Sequence, residues 1–231
     1  MAQLLLVGNS RWHWAERSPS GLRCWDTASP EPPWCVPPLR AWAAVGSVSA
    51  ALALPEERRL PLAQVPLAGA PAWLGIDRAL AGWWAWRQQQ GPVLVADAGT
   101  SLSLTLVDAQ GTFAGGRLSA GLALQLRSLH QGTAQLPQAD GVDRALPLWP
   151  KETAAAMEVG CLQAMVGAIK QAQDQLEEEC TVWLTGGDAL RLTPWLEPGR
   201  LVVAPNLCLE ALDQLSGGRG PEGCRRPWRP P

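Results

Sequence analysis

Short apolar runs that stop at small or polar residues recur along the chain. Three of them share this form: Leu4 to Val7 before Gly8-Asn9-Ser10, Val93 to Ala96 before Asp97-Ala98-Gly99-Thr100, and Thr181 to Leu184 before Thr185-Gly186-Gly187. Unbroken apolar runs of this length between turn residues are typical of buried strands. The pattern therefore predicts three buried strands, each of which ends in a tight turn.

Further strands are predicted around these turns. Trp12 to Ala15 follows the first turn, while Ser101 to Val107 follows the second and leads through a hairpin turn to Thr112–Gly115. This second succession of strands and turns resembles the one at the N-terminus and is the sequence feature closest to an internal repeat. Other strands are predicted at Ala43–Val48, at residues 201–204, and as one edge strand in the irregular, Pro-rich stretch from Ser18 to Pro38.

Helical segments separate these strands. In the segment that ends near Gln90, Ala81, Trp84 and Ala85 fall on one helical face, as in a buried helix. The other predicted helices are Ala50–Glu57, the stretch from Gly121 to about His130, Thr153–Glu177, a helix that starts at Ala189, and Asn206–Leu215. The tail from Gly217 to Pro231 is mostly Gly, Pro and Arg, and we expect it to be disordered.

Composition limits the classes of function. With 47% hydrophobic and 17% charged residues among 231, the chain can bury a core as one large domain or two small ones. A net charge of -2 gives no broad cationic surface, which argues against nucleic-acid binding. No apolar run approaches the roughly 20 residues that span a bilayer, and the N-terminus lacks the basic region of a signal peptide. Six cysteines without paired short spacing argue against structural zinc, so we expect a cytoplasmic protein with free thiols and no membrane partner.

The three small-residue turns are the main candidates for chemistry. Glycine lets backbone N–H groups approach phosphate oxygens closely, and hydroxyl or amide side chains add donors without bulk. Phosphate binding is therefore one interpretation of the turns. Ordinary turns are the other, because none of the three has the spacing of a Walker motif or of a dinucleotide-binding loop.

Two aspartates form a second candidate set. Asp77 begins an apolar helix, where a carboxylate is either a helix cap or a functional group. Asp97 follows a buried strand, where a carboxylate needs a cation or a hydrogen-bonded partner. Arg78 is suited to hold a substrate carboxylate, although a surface arginine is the commoner explanation.

Residues 3 to 215 contain a series of short motifs, and two of the motifs place Asp77 and Asp97 20 residues apart. In this order the motifs resemble those of type III pantothenate kinases. They are Leu4-Leu5-Leu6-Val7-Gly8-Asn9-Ser10-Arg11, Gly46-Ser47-Val48, Gly75-Ile76-Asp77-Arg78, Asp97-Ala98-Gly99-Thr100, Gly115-Gly116 with Gly121-Leu122, Thr133 to Pro137, Thr153 with Gly160, and Gly186-Gly187.

The resemblance implies an α/β, actin-like fold of ribonuclease-H type, with two related halves around a nucleotide cleft. The halves would be residues 1–90 and 91–216, and the protein would be a homodimer. The implied reaction is ATP-dependent phosphorylation of pantothenate to 4'-phosphopantothenate, the first step of coenzyme A biosynthesis. Magnesium and a monovalent cation, potassium or ammonium, would assist it.

Residue roles follow from the same resemblance. Asp77 would be the catalytic base, and the substrate would be bound by Gly75, Ile76, Asp77, Arg78 and Thr153. Asp97 would hold the monovalent cation. ATP would be bound by Thr100 and by the loop Leu6, Val7, Gly8, Asn9, Ser10, Arg11, Trp12 and His13. Such a set agrees with phosphoryl transfer, which mostly requires positioning and charge neutralisation.

One position departs from the family pattern. The first family motif normally reads Asp-x-Gly-Asn-Thr/Ser, and Leu6 stands at the position of the aspartate. Leucine cannot ligate a metal, so magnesium would have to be held through waters and phosphate oxygens. Two main hypotheses stay open: a working kinase that tolerates Leu6, and a degenerate homologue that binds nucleotide or pantothenate as a regulatory module. A sugar or acetate kinase of the same fold is a third.

The aromatic residues are almost all tryptophan. Of 14 aromatic residues 13 are Trp and none is Tyr, so the tyrosine that often precedes the substrate motif in the family has no counterpart here. Trp83, Trp84 and Trp86 are predicted as core or dimer contacts, with a stacking platform for a base as the alternative.

Overall fold

The computed structural model of this chain describes residues 2–31, 34–139, 141, 146–176 and 180–217. The strands of these residues are β1 (Gln3–Val7), β2 (Trp12–Ser18), β3 (Gly21–Thr27), β4 (Leu39–Ala44), β5 (Val93–Ala98), β6 (Ser101–Val107), β7 (Phe113–Ala120), β8 (Thr181–Thr185) and β9 (Leu201–Val203). Their α-helices are α1 (Ile76–Gln89), α2 (Leu122–Gly132), α3 (Thr153–Asp174), α4 (Ala189–Leu192) and α5 (Leu207–Leu215).

The strands form two sheets with the same plan. The N-terminal sheet has the order β3-β2-β1-β4, and the C-terminal sheet has the order β7-β6-β5-β8-β9. In both sheets the first strand is antiparallel to the second and parallel to the fourth. This shared topology confirms the internal repeat and the actin-like, ribonuclease-H-type fold class that the sequence predicts.

Helices α1 and α5 pack together between the two sheets. Helix α1 contacts β5 and β6 of the C-terminal sheet, while α5 contacts β1, β2 and β4 of the N-terminal sheet. Gly82 on α1 allows a close approach, because a Cβ atom there would lie 3.1 Å from the side chain of Val107 on β6. Since α5 comes from the end of the chain and packs on the N-terminal sheet, the division at residue 90 stays a prediction.

The outer face of the N-terminal sheet is covered by tryptophans. Trp12, Trp14 and Trp42 are buried there, and Trp25 and Trp34 pack against them. The rings meet at short range, with centroids 5.3 Å apart for Trp12 and Trp34, edge to face. Among the described residues no α-helix covers this face, whereas α2 and α3 cover the corresponding face of the C-terminal sheet.

The tryptophans of α1 have mixed surroundings. Trp83 is buried in the core between the sheets, while Trp84 donates its indole N–H to Glu210 on α5 over 3.1 Å. Trp86 donates to the carbonyl of Ala109 over 3.2 Å. These contacts agree with the core interpretation of the three residues.

Several sequence-based boundaries are wrong. The strand predicted at Ala43–Val48 is β4, which begins at Leu39 and ends at Ala44. The helix predicted at Ala50–Glu57 is absent, and two three-residue 3-10 turns, Ala50–Leu52 and Glu56–Arg58, flank Ala53 and Pro55 instead. Ala53 has a φ of 46°, a left-handed conformation that a helix cannot contain.

Other predictions hold with small shifts or fall outside the described residues. The strand predicted at Thr112–Gly115 runs on to Ala120 as β7, and the long helix ends at Asp174 rather than at residue 177. The edge strand predicted between Ser18 and Pro38 is β3. Beyond Gly217, the predicted disordered tail lies outside the described residues. None of the described helices is long and apolar enough to cross a membrane.

Candidate active site

The three small-residue turns meet at one place between the two halves. The hydroxyls of Ser10, after β1, and Thr100, after β5, are hydrogen-bonded at 2.8 Å. The turn after β8 joins them, because the backbone N–H of Asp188 donates to the carbonyl of Ala98 over 2.9 Å. Strands β5 and β8 are parallel neighbours, so their carboxyl ends share one edge of the sheet. The turns thus form one cleft lined by backbone and small side chains.

Glycine is required where these turns touch. Gly186 has a φ of 93°, and a Cβ atom there would overlap a carboxylate oxygen of Asp97 and the backbone of Ala98. Gly121, after β7, lies against the carbonyl of Gly99 so closely that a Cβ atom would overlap it. Asp97 is therefore enclosed by the turns that follow β5 and β8.

Asp77 lies in the first turn of α1 with its carboxylate against the helix start. Its Oδ1 accepts a hydrogen bond from the backbone N–H of Arg78 at 2.8 Å. Burial raises the pKa of Asp77, and the N–H and positive charge of Arg78 oppose that rise. The result is a carboxylate that is a stronger base than a solvated one.

Asp97 shares the electrostatic environment of Asp77. Burial and, to a smaller extent, the negative charge of Asp77 together raise the pKa of Asp97 to about 6, while His13 acts in the opposite sense. The two carboxylates lie 20 residues apart in sequence, at the start of α1 and the end of β5. The fold therefore places two acidic groups and one imidazole close enough to influence one another.

Arg78 is held by the C-terminal sheet. Its Nε donates to the hydroxyl of Thr105 on β6 over 3.0 Å, and its guanidinium lies 5.8 Å from the ring centroid of Phe113. Gly116 on β7 leaves space for the end of the side chain. Burial lowers the pKa of Arg78, and the charge of Asp77 opposes that change. Arg78 is thus a fixed cation beside Asp77 rather than a free surface arginine.

The residues predicted to bind ATP and substrate divide into exposed and buried groups. The exposed group lies in the turns of the cleft and consists of Asn9, Ser10, Arg11 and Thr100. Gly8 and His13 lie beside them and are partly buried. Leu6, Val7, Trp12 and Ile76 are buried in hydrophobic clusters. Gly75 caps α1, and a Cβ atom there would lie 2.5 Å from Oδ1 of Asp77. Members of the buried group can shape the site or offer backbone atoms, but their side chains do not face it.

Thr153 is the predicted site residue that the structure does not connect to the cleft. It begins α3 and lines an open, mostly apolar pocket of about 480 Å³ with Gln125, Leu129, Met157 and Cys161. No hydrogen bond among the described residues joins Thr153 to Asp77 or Arg78.

Metal ligands from the chain are few. The described residues contain no group of three or more His, Cys, Asp or Glu side chains that could hold a metal ion. Asp97, enclosed by two turns, is the carboxylate best placed to share a cation with oxygen atoms of a ligand and of the backbone.

Three contacts of the site were not predicted from the sequence. His13 is paired with Asp26 on β3, Arg78 with Thr105, and the thiol of Cys208 on α5 donates to the carbonyl of Asp77 over 3.5 Å. Only the first had a sequence signal, because a hairpin turn at residues 19 and 20 places residue 26 opposite residue 13. The other two join distant parts of the chain.

Two ribonuclease-H-type halves that bring their glycine-rich turns into one cleft define the actin-like class of ATPases and kinases. A solved structure with this fold is described as a Baf family transcriptional activator from Campylobacter jejuni. The match covers 92% of this chain and 96% of the chain of that structure, with a TM-score of 0.64 and 16% sequence identity. The family model of type III pantothenate kinase matches residues 58–175.

Curated relatives agree with that match. The type III pantothenate kinase of Synechococcus elongatus is 34% identical over 94% of this chain and 97% of its own length. That of Gloeobacter violaceus is 34% identical over 82% of this chain and 87% of its own. The chain belongs to the type III pantothenate kinase family.

Proposed function

We propose that this protein carries out the reaction of its family, transfer of the γ-phosphoryl group of ATP to the hydroxyl of pantothenate at the start of coenzyme A biosynthesis. The observation that carries the proposal is the contact between Ser10 and Thr100, which joins the turns of both halves over one cleft. A cleft lined by backbone and small donors suits a phosphate chain.

The phosphates of ATP are held by the first two turns. Asn9, Ser10, Arg11 and Thr100 offer exposed donors, and the absence of a side chain at Gly8 lets the carbonyl of Arg11 lie close to it. The buried loop residues, Leu6, Val7 and Trp12, fix the turn against the sheet, and the ring of His13 lies beside Gly8. The Gly186-Gly187 turn lies on the side of the cleft nearer the C-terminal core and receives the adenosine part.

Asp77 is the general base for the pantothenate hydroxyl. Its carboxylate is partly buried, its pKa is raised, and it lies against the glycine-capped start of α1. In a loose phosphoryl-transfer transition state the base accepts the proton late, so it need not match the pKa of the hydroxyl. Arg78, fixed by Thr105 and Phe113, holds negative charge on the substrate beside it.

Asp97 holds a monovalent cation, potassium or ammonium. One enclosed carboxylate with backbone carbonyls nearby suits a singly charged ion, which needs less charge from its ligands than a divalent one. Magnesium, which usually keeps several waters, is held by the phosphates and waters rather than by a cage of protein carboxylates. The absence of an aspartate at Leu6 is then tolerated, and no observation favours a degenerate homologue.

A homodimer belongs to the same proposal. Its support is an exposed apolar surface around the start of α3: Leu148 is 55% and Trp149 87% exposed, and Leu129 lines the pocket shared by Thr153. A second copy of the chain on this surface would shield these side chains from water. It would also close the pocket that Thr153 lines, which could then hold the substrate. The cytoplasmic location that the sequence predicts also remains part of this proposal.

The test is pantothenate-dependent ADP release by the purified protein with ATP and magnesium, in potassium or in sodium. We expect potassium-stimulated turnover that falls by about a hundredfold or more in Asp77→Asn, the usual scale for loss of a general base. Asp174→Asn, which removes an exposed carboxylate at the end of α3, should be fully active. A folded wild-type protein that binds both substrates without turnover would contradict the proposal and support the binding-module hypothesis.

A further inference from the structure

A histidine and an aspartate face each other at the edge of the cleft. His13 on β2 and Asp26 on β3 are directly opposite in the antiparallel pair, and Nδ1 of His13 is 2.8 Å from Oδ1 of Asp26. Neither side chain is deeply buried, since the exposed fractions are 37% and 46%. Because a carboxylate accepts hydrogen bonds, Nδ1–H is the donor of this pair.

The other nitrogen of the ring is directed toward the first turn. A Cβ atom on Gly8 would lie 3.1 Å from Nε2 of His13, so this edge of the imidazole lies over the glycine where the phosphates are proposed to bind. Nε2 has no hydrogen-bond partner among the described residues. The ring also influences Asp97 across the cleft. An unpartnered ring nitrogen thus faces the junction of the two halves.

Acidic and apolar side chains lie next to the ring of His13. Opposite His13 on β1 is Leu6, which is apolar, and the acidic groups around the ring are Asp26 on β3 and Asp97 on β5. Arg11, exposed in the first turn, is the nearest cation along the chain. Arg78 is held further along the cleft, beside Asp77. A bound triphosphate adds several negative charges close to the carboxylates of Asp26 and Asp97, so a further positively charged donor would stabilise it.

We propose that Asp26 is a positioning residue that orients His13 so that Nε2–H donates to a terminal phosphate oxygen of the bound nucleoside triphosphate. The proposal rests on the proposed function, since it requires ATP in this cleft. In that state both ring nitrogens carry protons: Nδ1–H donates to Asp26, Nε2–H donates to the phosphate, and the added proton is taken from solvent as the nucleotide binds. The contact supplies charge neutralisation beside Leu6, a side chain that cannot ligate a metal.

The test uses the two histidines of the protein as probe and control. His13 and His130 are the complete histidine complement, and His130 lies at the end of α2 with Nδ1 2.8 Å from the carbonyl of Leu136. In 15N NMR spectra of the imidazoles, assigned with His13→Gln, a non-hydrolysable ATP analogue should shift the His13 nitrogens to imidazolium values. The His130 nitrogens should stay unchanged, and AMP, which lacks the terminal phosphates, should not produce the shift.

Variants of the carboxylate separate positioning from general damage. Asp26→Ala should weaken binding of the ATP analogue by about tenfold, the scale of one charge-assisted hydrogen bond, without changing the affinity for AMP. Asp26→Asn keeps an acceptor oxygen for Nδ1–H and should weaken binding of the ATP analogue by less than Asp26→Ala does. The matched control is Glu16→Gln, which removes a carboxylate from β2 in the same sheet, and it should bind both nucleotides as the wild type does.

The possible failures differ from one another. If the analogue binds but the His13 nitrogens keep their values, or if Asp26→Ala weakens AMP and ATP binding equally, the assignment of His13 and Asp26 is wrong and the proposed function stands. If the folded wild-type protein binds no nucleotide at all, the proposed function and this inference fail together.

Discussion

Replacing Asp97 with asparagine should stabilise the protein at neutral pH while impairing it as a kinase. Burial and the charge of Asp77 raise the pKa of Asp97 to about 6, whereas an unfolded chain has a pKa near 3.9 for aspartate. The folded state therefore holds this proton more tightly than the unfolded state does. The ionised carboxylate therefore destabilises the fold. Asparagine removes the negative charge and has a side chain of nearly the same size as that of aspartate.

The expected size follows from the pKa difference. A shift of about two pKa units corresponds to about 3 kcal/mol, at 1.36 kcal/mol per unit. Asp97 is partly solvent-accessible, so screening reduces the figure to about 1–2 kcal/mol. For a chain of 231 residues this corresponds to a rise in Tm of about 3–6 °C.

The pH dependence gives the sign. Below about pH 4 the carboxyl is protonated in both states and wild type and Asp97→Asn should have equal Tm. As pH rises through 6 the wild type loses the stability that protonation gave, and the variant gains its full advantage. Potassium should raise the Tm of the wild type at pH 7.5 but not that of the variant, because the variant lacks the proposed cation ligand.

Thermal unfolding followed by circular dichroism at pH 4 and pH 7.5, in tetramethylammonium buffer with and without potassium, measures these differences. Asp174→Asn controls for the loss of one negative charge and should change Tm little at either pH. An Asp97→Asn protein that is no more stable than the wild type at pH 7.5 would refute the reasoning. The same variant should lose potassium-stimulated ADP release.

Two further substitutions test close contacts between elements that are distant in sequence. Gly186→Ala should lower the free energy of unfolding by about 2 kcal/mol or more and reduce turnover, because Gly186 has a positive φ and no space for a Cβ atom. Denaturant titrations measure the loss of stability, and Gly187→Ala is the matched control because the space around Gly187 is open. Asp213→Ala should cost about 2–4 kcal/mol, because the buried carboxylate neutralises two arginines. Arg17→Ala removes the more exposed of the two arginines and should lower the free energy of unfolding by less. Equal losses for Asp213→Ala and Arg17→Ala would show that the buried carboxylate is not the main contributor.

The local parts of the fold could be predicted from sequence, whereas its long-range contacts could not. The three strand ends and their turns have short-range signals, namely apolar runs and glycines. The start of β4 was missed because Arg40 interrupts its apolar pattern. That arginine is accommodated by Asp213, which lies 173 residues further along the chain.

The same distinction applies to the site. Asp77 stands at a recognisable helix start and Asp97 at a recognisable strand end, so both could be selected as candidates from sequence. The partners that fix the site, Thr105 for Arg78 and Cys208 for the backbone of Asp77, come from other elements. Thr153 is the opposite case, since a motif selected it but the fold of one chain leaves it on a separate pocket.

The packing of α5 on the N-terminal sheet has a consequence for the order of folding. Strands β1 to β4 leave the ribosome well before α5, but α5 covers the inner face of their sheet, and Arg17 reaches Asp213 across 196 residues. Closing so long a loop is slow, because its entropy is lost before the contact forms. The N-terminal sheet therefore keeps an exposed apolar face until α5 has been synthesised, and exposed apolar surface of this kind is prone to aggregation.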